Sequence, residues 1–278
     1  MLLFLNKTWR KFGLCLLAGY VALGALIWQI PDNRFHIYFL NIGQGDSTLI
    51  KTPNNHQILV DGGPKNYILQ ELDAVMPFFD KTIDLVVVTH PHADHIDGLI
   101  EVLKRYEVNA VLITGVDYKS PSYDEFLKIV TEKNIQIYIA EKNEDFSFGN
   151  VTLDVIYPNK PLLGKKFQDL NNSSIVIKIL YGDKKILMTG DMAFEEENLL
   201  IKTGLNLRAD ILKVGHHGSK TSSSRDFLNL VKPEIAIIQS GNGNSFGHPS
   251  KEALNRLKAA GVQQIYRNDM DGLVEIIF

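Results

Sequence analysis

The densest group of ligand-type side chains in the chain is Thr89-His90-Pro91-His92-Ala93-Asp94-His95-Ile96-Asp97-Gly98. Three imidazoles and two carboxylates within eight residues repel one another when charged and cost desolvation free energy when buried. A divalent cation relieves both penalties, because neutral imidazole and ionised carboxylate are its preferred ligands. His90 and His92 can point to one side of an extended segment, while Asp94 and His95 turn into the helix that follows and can hold a second ion. The bland alternative is a surface loop that happens to be rich in histidine. The His-x-His-x-Asp-His spacing directly after an apolar run argues against it. Cys15 is the one cysteine, which excludes an internal disulfide and any cysteine-built zinc site. A metal must therefore rest on His, Asp or Asn.

The elements that must position these residues follow from hydrophobic periodicity and turn signals. Short strands are predicted at 36–41, 48–52 and 58–61, with Pro53-Asn54-Asn55 turning between the last two. A helix over 66–79 precedes the continuous apolar run 84–89, whose composition reads as a strand buried on both faces. Helix 96–105, strand 110–113, helix 123–133 and strand 136–140 come next. Strands 151–157, 174–181 and 185–189 follow, the last two joined by Gly182-Asp183. Helix 194–202, strand 210–214, helix 225–230, strand 234–239, helix 251–260 and strands 263–266 and 274–278 complete the chain. This order suits two sheets packed face to face with helices outside. No fixed-period repeat and no low-complexity tract interrupts it.

His90-x-His92-x-Asp94-His95 resembles the signature of the metallo-β-lactamase superfamily, and the resemblance runs over residues 35–278. Within it the chain looks like the extracellular hydrolase-like domain of ComEC-type competence proteins. That likeness is carried by Asn41-Ile42-Gly43-Gln44-Gly45-Asp46-Ser47, Leu59-Val60-Asp61-Gly62-Gly63, Asn171-Asn172-Ser173-Ser174, Thr189-Gly190-Asp191, Leu212-Lys213-Val214-Gly215-His216-His217-Gly218-Ser219 and Gly247-His248-Pro249. It implies an α/β, four-layer αββα fold and two divalent ions, Zn2+ or Mn2+. It also implies that Asp191 bridges the ions and that Asp61 orients the histidine loop by hydrogen bonds. The lesser alternative for Asp191 is a strand-end residue capping the next helix.

The remaining candidates follow from the same likeness. Adjacent residues on an extended backbone point in opposite directions, so one of His216 and His217 is the expected ligand. His217 is preferred, with His216 facing substrate. No histidine lies between His95 and His216, where most superfamily members carry one. Asn171-Asn172-Ser173 stands in that place, and Asn172 is taken as the ligand of a looser site suited to Mn2+. His248 could donate to a phosphate oxygen or to a leaving group. Ser219, Lys220, Thr221 and Ser222 form a hydroxyl-rich loop read as a helix start that suits an anion. Gly43, Gly45 and Asp46 read as a structural turn near the site. Asp94, Asp191 and His248 carry the expected catalysis: hydrolysis of a phosphodiester such as single-stranded DNA, or of another phosphoester, by a metal-ionised water. No Ser–His–Asp or Cys–His constellation is needed. The rival is a non-catalytic module binding DNA or an uptake partner through a degenerate metal site.

Bulk properties set the frame. The 278 residues carry a net charge of −3, with no Lys/Arg stripe for non-specific nucleic-acid binding. Residues 12–30 hold no charge, and at ~1.5 Å per residue they span roughly 28 Å, enough to cross a bilayer core. Lys7, Arg10 and Lys11 precede this stretch and Trp28 lies near its far end, so the rest of the chain is expected outside the cytoplasm. A cleaved signal peptide is the competing reading. The expected division is an anchor over 1–31 and a hydrolase domain over 32–278. With one membrane segment the chain is expected to be no pore.

Overall fold

A computed structural model describes the backbone of residues 7–28 and 32–278. Helix α1 covers Lys7–Trp28, and Phe12, Leu14, Leu16, Leu17, Tyr20, Val21 and Leu23 are each more than half exposed on it. Among the described residues no helix is long and apolar enough to cross a membrane. The expected span 12–30 ends on residues outside the described set.

The globular part begins with strands β1 (His36–Phe39), β2 (Thr48–Lys51) and β3 (Gln57–Val60), then helix α2 (Tyr67–Val75). Strand β4 (Thr82–Val87) leads through the histidine loop to α3 (Ala93–Arg105), β5 (Glu107–Ile113), α4 (Pro121–Glu132) and β6 (Gln136–Ile139). The second half runs β7 (Asp145–Phe148), β8 (Val151–Tyr157), β9 (Val176–Tyr181), β10 (Lys184–Met188), α5 (Phe194–Lys202), β11 (Ile211–Lys213) and α6 (Arg225–Val231). Strand β12 (Ile235–Ile238), α7 (Lys251–Ala259), β13 (Gln264–Arg267), α8 (Asn268–Asp271) and β14 (Val274–Ile277) complete it.

These strands form two seven-stranded sheets, ordered β14-β1-β2-β3-β4-β5-β6 and β13-β12-β11-β10-β9-β8-β7. Side-chain alternation decides which residues face which layer. In β4, Leu85 and Val87 join Ile37, Ile50 and Ile58 against Leu153, Ile177, Ile186 and Ile237 of the other sheet. Val86 and Val88 face outward to Ile96, Leu99 and Val102 of α3 and Phe126 of α4. On the far side Leu187, Leu212, Ala236 and Ile238 receive Leu200 of α5, Phe227 and Leu228 of α6 and Leu257 of α7. Covering both faces of each sheet is why the central strands read as unbroken apolar runs rather than alternating ones. The result is the expected four-layer αββα arrangement.

Two elements depart from the expectation. Strand β7 pairs antiparallel with β8 through a Gly149-Asn150 turn, with Gly149 at φ 66°; that dipeptide is the hairpin signal that would have revealed it. The four-residue α8 is too short to leave a periodic trace. For the site, the parallel pairings decide position. β3 runs parallel to β4, and β10, β11 and β12 are parallel to one another. Asp61, the Thr89–His95 loop, Asp191, His217 and Gln239 therefore all follow the C-terminal ends of parallel strands, the edge where open α/β sheets place ligands.

Candidate metal centre

Asp191 lies at the middle of the convergence. Its Oδ2 is 3.4 Å from His95 Nε2, 3.3 Å from His217 Nε2 and 4.0 Å from His90 Nε2. Asp94 Oδ2 is 3.3 Å from His217 Nε2, and His90 Nε2 lies 2.9 Å from His92 Nδ1. His90, His95, Asp191 and His217 are buried. Two sets, His90 with His95 and Asp191, and Asp94 with His95 and His217, each bring their ligand atoms within 4.8 Å of one another.

Donor chemistry tests whether a cation fits. His95 Nε2, His217 Nε2 and Asp191 Oδ1 are buried and have no hydrogen-bond partner. An unpartnered buried polar atom is costly, and here three such atoms serve residues that converge on one spot. The protein also holds protons there. Burial by itself would push the His95 and His217 imidazoles down, but the carboxylates of Asp191 and of Asp61 or Asp46 hold both well above their ordinary value. Burial would likewise raise Asp191, yet His217 and His95 outweigh it and hold the carboxyl well below the usual range. At His90, burial with His95 alongside pushes the ring well down, leaving it neutral. This arrangement of acids and imidazoles is one that a divalent cation would occupy by displacing protons. The residues fit the group.

The supports are local and specific. Asp61 sits at φ 57°, and its carboxylate accepts the Thr89 N–H at 2.8 Å, the Thr89 hydroxyl at 2.7 Å and His95 Nδ1–H at 2.8 Å. This is the geometry expected of a residue orienting the histidine loop, and it fixes Nε2 as the free face of His95. Gly62 and Gly98 let α3 start directly on this turn: a Cβ on Gly98 would lie 1.9 Å from the Gly62 carbonyl oxygen.

His216 and His217 do not alternate as an extended pair. Both adopt left-handed backbone, at φ 49° and φ 52°, in a tight turn. Alternation along an extended backbone therefore does not separate them: His217 is buried against Asp191, while His216 is half-buried beside Asn171, 3.5 Å from its amide. Non-glycine residues in this region are strained by about 1–3 kcal/mol each and cluster at functional sites.

Three expected contacts are corrected. Asn172 turns its amide to Glu195 at 3.2 Å. The neighbouring Asn171 holds the buried, unpartnered Oδ1 instead. Ser222 is buried and donates to the Gly215 carbonyl, and the Ser219 hydroxyl pairs with Thr221 at 3.1 Å. Both hydroxyls close the turn and neither is free for substrate. The loop is also not the helix start, because Ser224 caps α6 by accepting from the Phe227 N–H. Of this group Lys220 and Thr221 stay exposed.

His248 completes the rim, its ring 5.6 Å from His216 and 6.2 Å from His217. Burial, with His217 and His216 beside it, pushes His248 down to about 4, so it is an uncharged imidazole at neutral pH. Phe246 stacks on it at 5.8 Å and is itself exposed. Two residues are unexpected in role. Asp46 is a buried carboxylate 3.1 Å from His217 Nδ1, not merely part of a turn. Lys213, buried at the end of β11, makes an ion pair with it. A lysine inside the apolar run Ile211-Leu212-Lys213-Val214 was the available signal, since an unpaired buried ammonium is not tolerated.

The sequence profile described as "Metallo-beta-lactamase superfamily" matches residues 40–241. The chain is 28% identical to ComE operon protein 3 of Bacillus subtilis over 266 residues, covering 90% of this chain and 34% of the relative. It is 30% identical to Competence protein ComA of Neisseria gonorrhoeae, covering 96% of this chain and 35% of the relative. The chain thus spans about a third of these curated relatives' length. Among solved structures, the metallo-beta-lactamase fold protein YhfI of Bacillus subtilis aligns with a TM-score of 0.58 at 13% identity, over 87% of this chain and all of that one.

Proposed function

Because the chain belongs to the metallo-beta-lactamase superfamily, whose members are metal-dependent hydrolases, and is homologous to ComEC-type competence proteins, we propose that it hydrolyses phosphodiesters with the aid of divalent cations. The observation that carries this reading is the convergence of His90, Asp94, His95 and His217 around Asp191, with His92 against His90 and buried ligand atoms left unpartnered. His90, His92 and Asp191 would hold one ion, Zn2+ or Mn2+. Asp94, His95, His217 and Asp191 would hold the other. When bound, such a pair supplies Lewis acidity and a water ionisable near neutral pH.

The chain's own residues do the rest. Asp191 and Asp94 stay ionised and keep the ligand face negative. Asp61 and the Gln239 carbonyl, which accepts from His217 Nδ1 at 3.0 Å, fix Nε2 of His95 and His217 as the ligand atoms. His248 and His216, both kept neutral, present N–H groups to phosphate oxygens on the open side. Phe246 beside them offers a flat exposed ring, which suits a substrate carrying bases, such as single-stranded DNA.

In this reading the apolar stretch 12–30 anchors the chain, and the hydrolase domain over 32–278 lies outside the cytoplasm. Apolar side chains exposed around the helix from Phe12 to Leu23, after the cations Arg10 and Lys11, support it. The test uses the full chain, which should sediment with membranes until detergent is added. With Mn2+ or Zn2+ restored after chelation, it should cleave bis-p-nitrophenyl phosphate and a single-stranded oligonucleotide. Asp191→Asn should lower turnover by about 100-fold or more, the scale seen when one electrostatic contact to the transition state is lost. Metal uptake without turnover on either substrate would replace this reading with a binding module.

A further inference from the structure

The metal-site reading leaves one buried group without a task. Lys213 is 1% exposed and Asp46 4%, and their side chains form an ion pair behind the ligand set. Taking two opposite charges out of water is costly, so such a pair persists where it fixes something. Each partner reaches a residue that touches the ligand face. Lys213 Nζ also donates to the Gly190 carbonyl at 3.2 Å, immediately before Asp191. Asp46 Oδ1 lies 3.1 Å from His217 Nδ1, on the side of the ring away from Asp191, as a charge beside the Nδ1–H that the Gln239 carbonyl accepts at 3.0 Å. Asp46 itself is tied to the metal loop, since its N–H donates to the Asp94 carbonyl at 3.3 Å. The preceding Gly45 has no room for a side chain, because a Cβ there would lie 2.2 Å from the same oxygen.

On the other side of the site the Asp61 carboxylate accepts from His95 Nδ1 directly. Beside the two carboxylates is a cavity of about 10 Å3, lined by Asp46, Asp61, Thr89, Lys213 and Gln239 and, on its apolar side, by Val60 and Met188. It has room for about one water molecule, and its lining supplies the polar partners a buried water needs.

We propose that Asp46, paired with Lys213, is a positioning residue for His217, and that a single buried water joins it to Asp61 so that one network holds both ligand imidazoles. The Gln239 carbonyl fixes the ring's tautomer, and the carboxylate charge beside Nδ1 makes Nε2 a better metal ligand. Lys213 makes this possible twice over. It offsets the charge of Asp46 in a region already crowded with acids, and it anchors that charge to the strand end carrying Asp191.

The proposal rests on the metal-site reading, and the test separates the two. On the full chain in detergent, metal affinity is measured by competition with a chromophoric chelator, and melting is followed without metal. Asp46→Asn and Lys213→Met should each lower the metal-free melting temperature, because each strands the other's buried group. The double variant Asp46→Asn/Lys213→Met should regain much of that loss and still bind metal about 10–100-fold more weakly, with an altered Co2+ absorption spectrum. A double variant with the parent's affinity and spectrum would overturn the positioning role alone. Parent protein that takes up no metal would overturn the metal reading and this inference together. If the double variant fails to fold, the His217 ring is read in the parent by 15N NMR. The same ring in Asp46→Asn should show shifted Nδ1 and Nε2 resonances; a His217 signal that the substitution leaves unchanged overturns the positioning role.

Discussion

The loosest ligand position is the one that departs from the usual superfamily pattern. Nothing between His95 and His216 can supply an imidazole, and Asn171 stands beside His216 with its buried amide oxygen unpartnered. An amide oxygen is a harder and weaker donor than imidazole, which shifts preference from zinc toward manganese. Asn171→His should therefore tighten zinc uptake by on the order of tenfold relative to manganese, while Asn172→Ala should leave both unchanged, as competitive loading and elemental analysis would show. Zinc affinity falling in Asn171→His, or lost in Asn172→Ala, would contradict the placement. The choice between these neighbours was not readable from sequence. Adjacent side chains of a 3-10 turn diverge, and what decides is Asn172's partner Glu195, 23 residues away. The same holds for His216 and His217, whose left-handed backbone is imposed by tertiary packing at the Gly215 turn. By contrast, the spacing of His90, His92, Asp94 and His95 was legible because a strand end and a helix start dictate it locally.

At the scale of elements, the site depends on how closely helix α3 approaches the turn after β3. Gly62 donates to the His95 carbonyl at 2.7 Å and Gly98 donates to the Gly63 carbonyl at 2.9 Å, so helix and turn share one set of hydrogen bonds. Gly98→Ala puts a methyl group against the Gly62 carbonyl and must push the helix start, with Asp94 and His95, off its seat. Overpacking of this kind costs about 1–3 kcal/mol, which corresponds to a fall of roughly 2–10 °C in melting temperature for a chain of this size. A calorimetric scan and a metal titration should show both losses; an unchanged Gly98→Ala protein would mean the contact is not a constraint. Most strands and helices were legible because two covered sheet faces and amphipathic outer helices each leave a period in the sequence. Ranges 151–157 and 194–202 match β8 and α5 to the residue. Strand β7 was passed over because its Phe146 and Phe148 sit among charged and polar neighbours and only the Gly149-Asn150 turn marks it.

For the molecule as a whole, two sheets of seven strands meet so that each contributes one half of a single site. The first sheet supplies Asp61 and the histidine loop, and the second supplies Asp191, Lys213 and His217. Gln239 joins them, accepting from the Thr48 hydroxyl at 3.0 Å and donating to the Ser47 carbonyl at 2.7 Å. Catalytic competence is then a property of the packed sandwich, not of any one motif. The most direct test is diffraction from crystals of the full chain loaded with Mn2+ or Zn2+, recorded at the metal's absorption edge. Anomalous peaks are expected on either side of Asp191, one against His90 and His92 and one against Asp94, His95 and His217. Loaded crystals with no peak at Asp191 would contradict this placement.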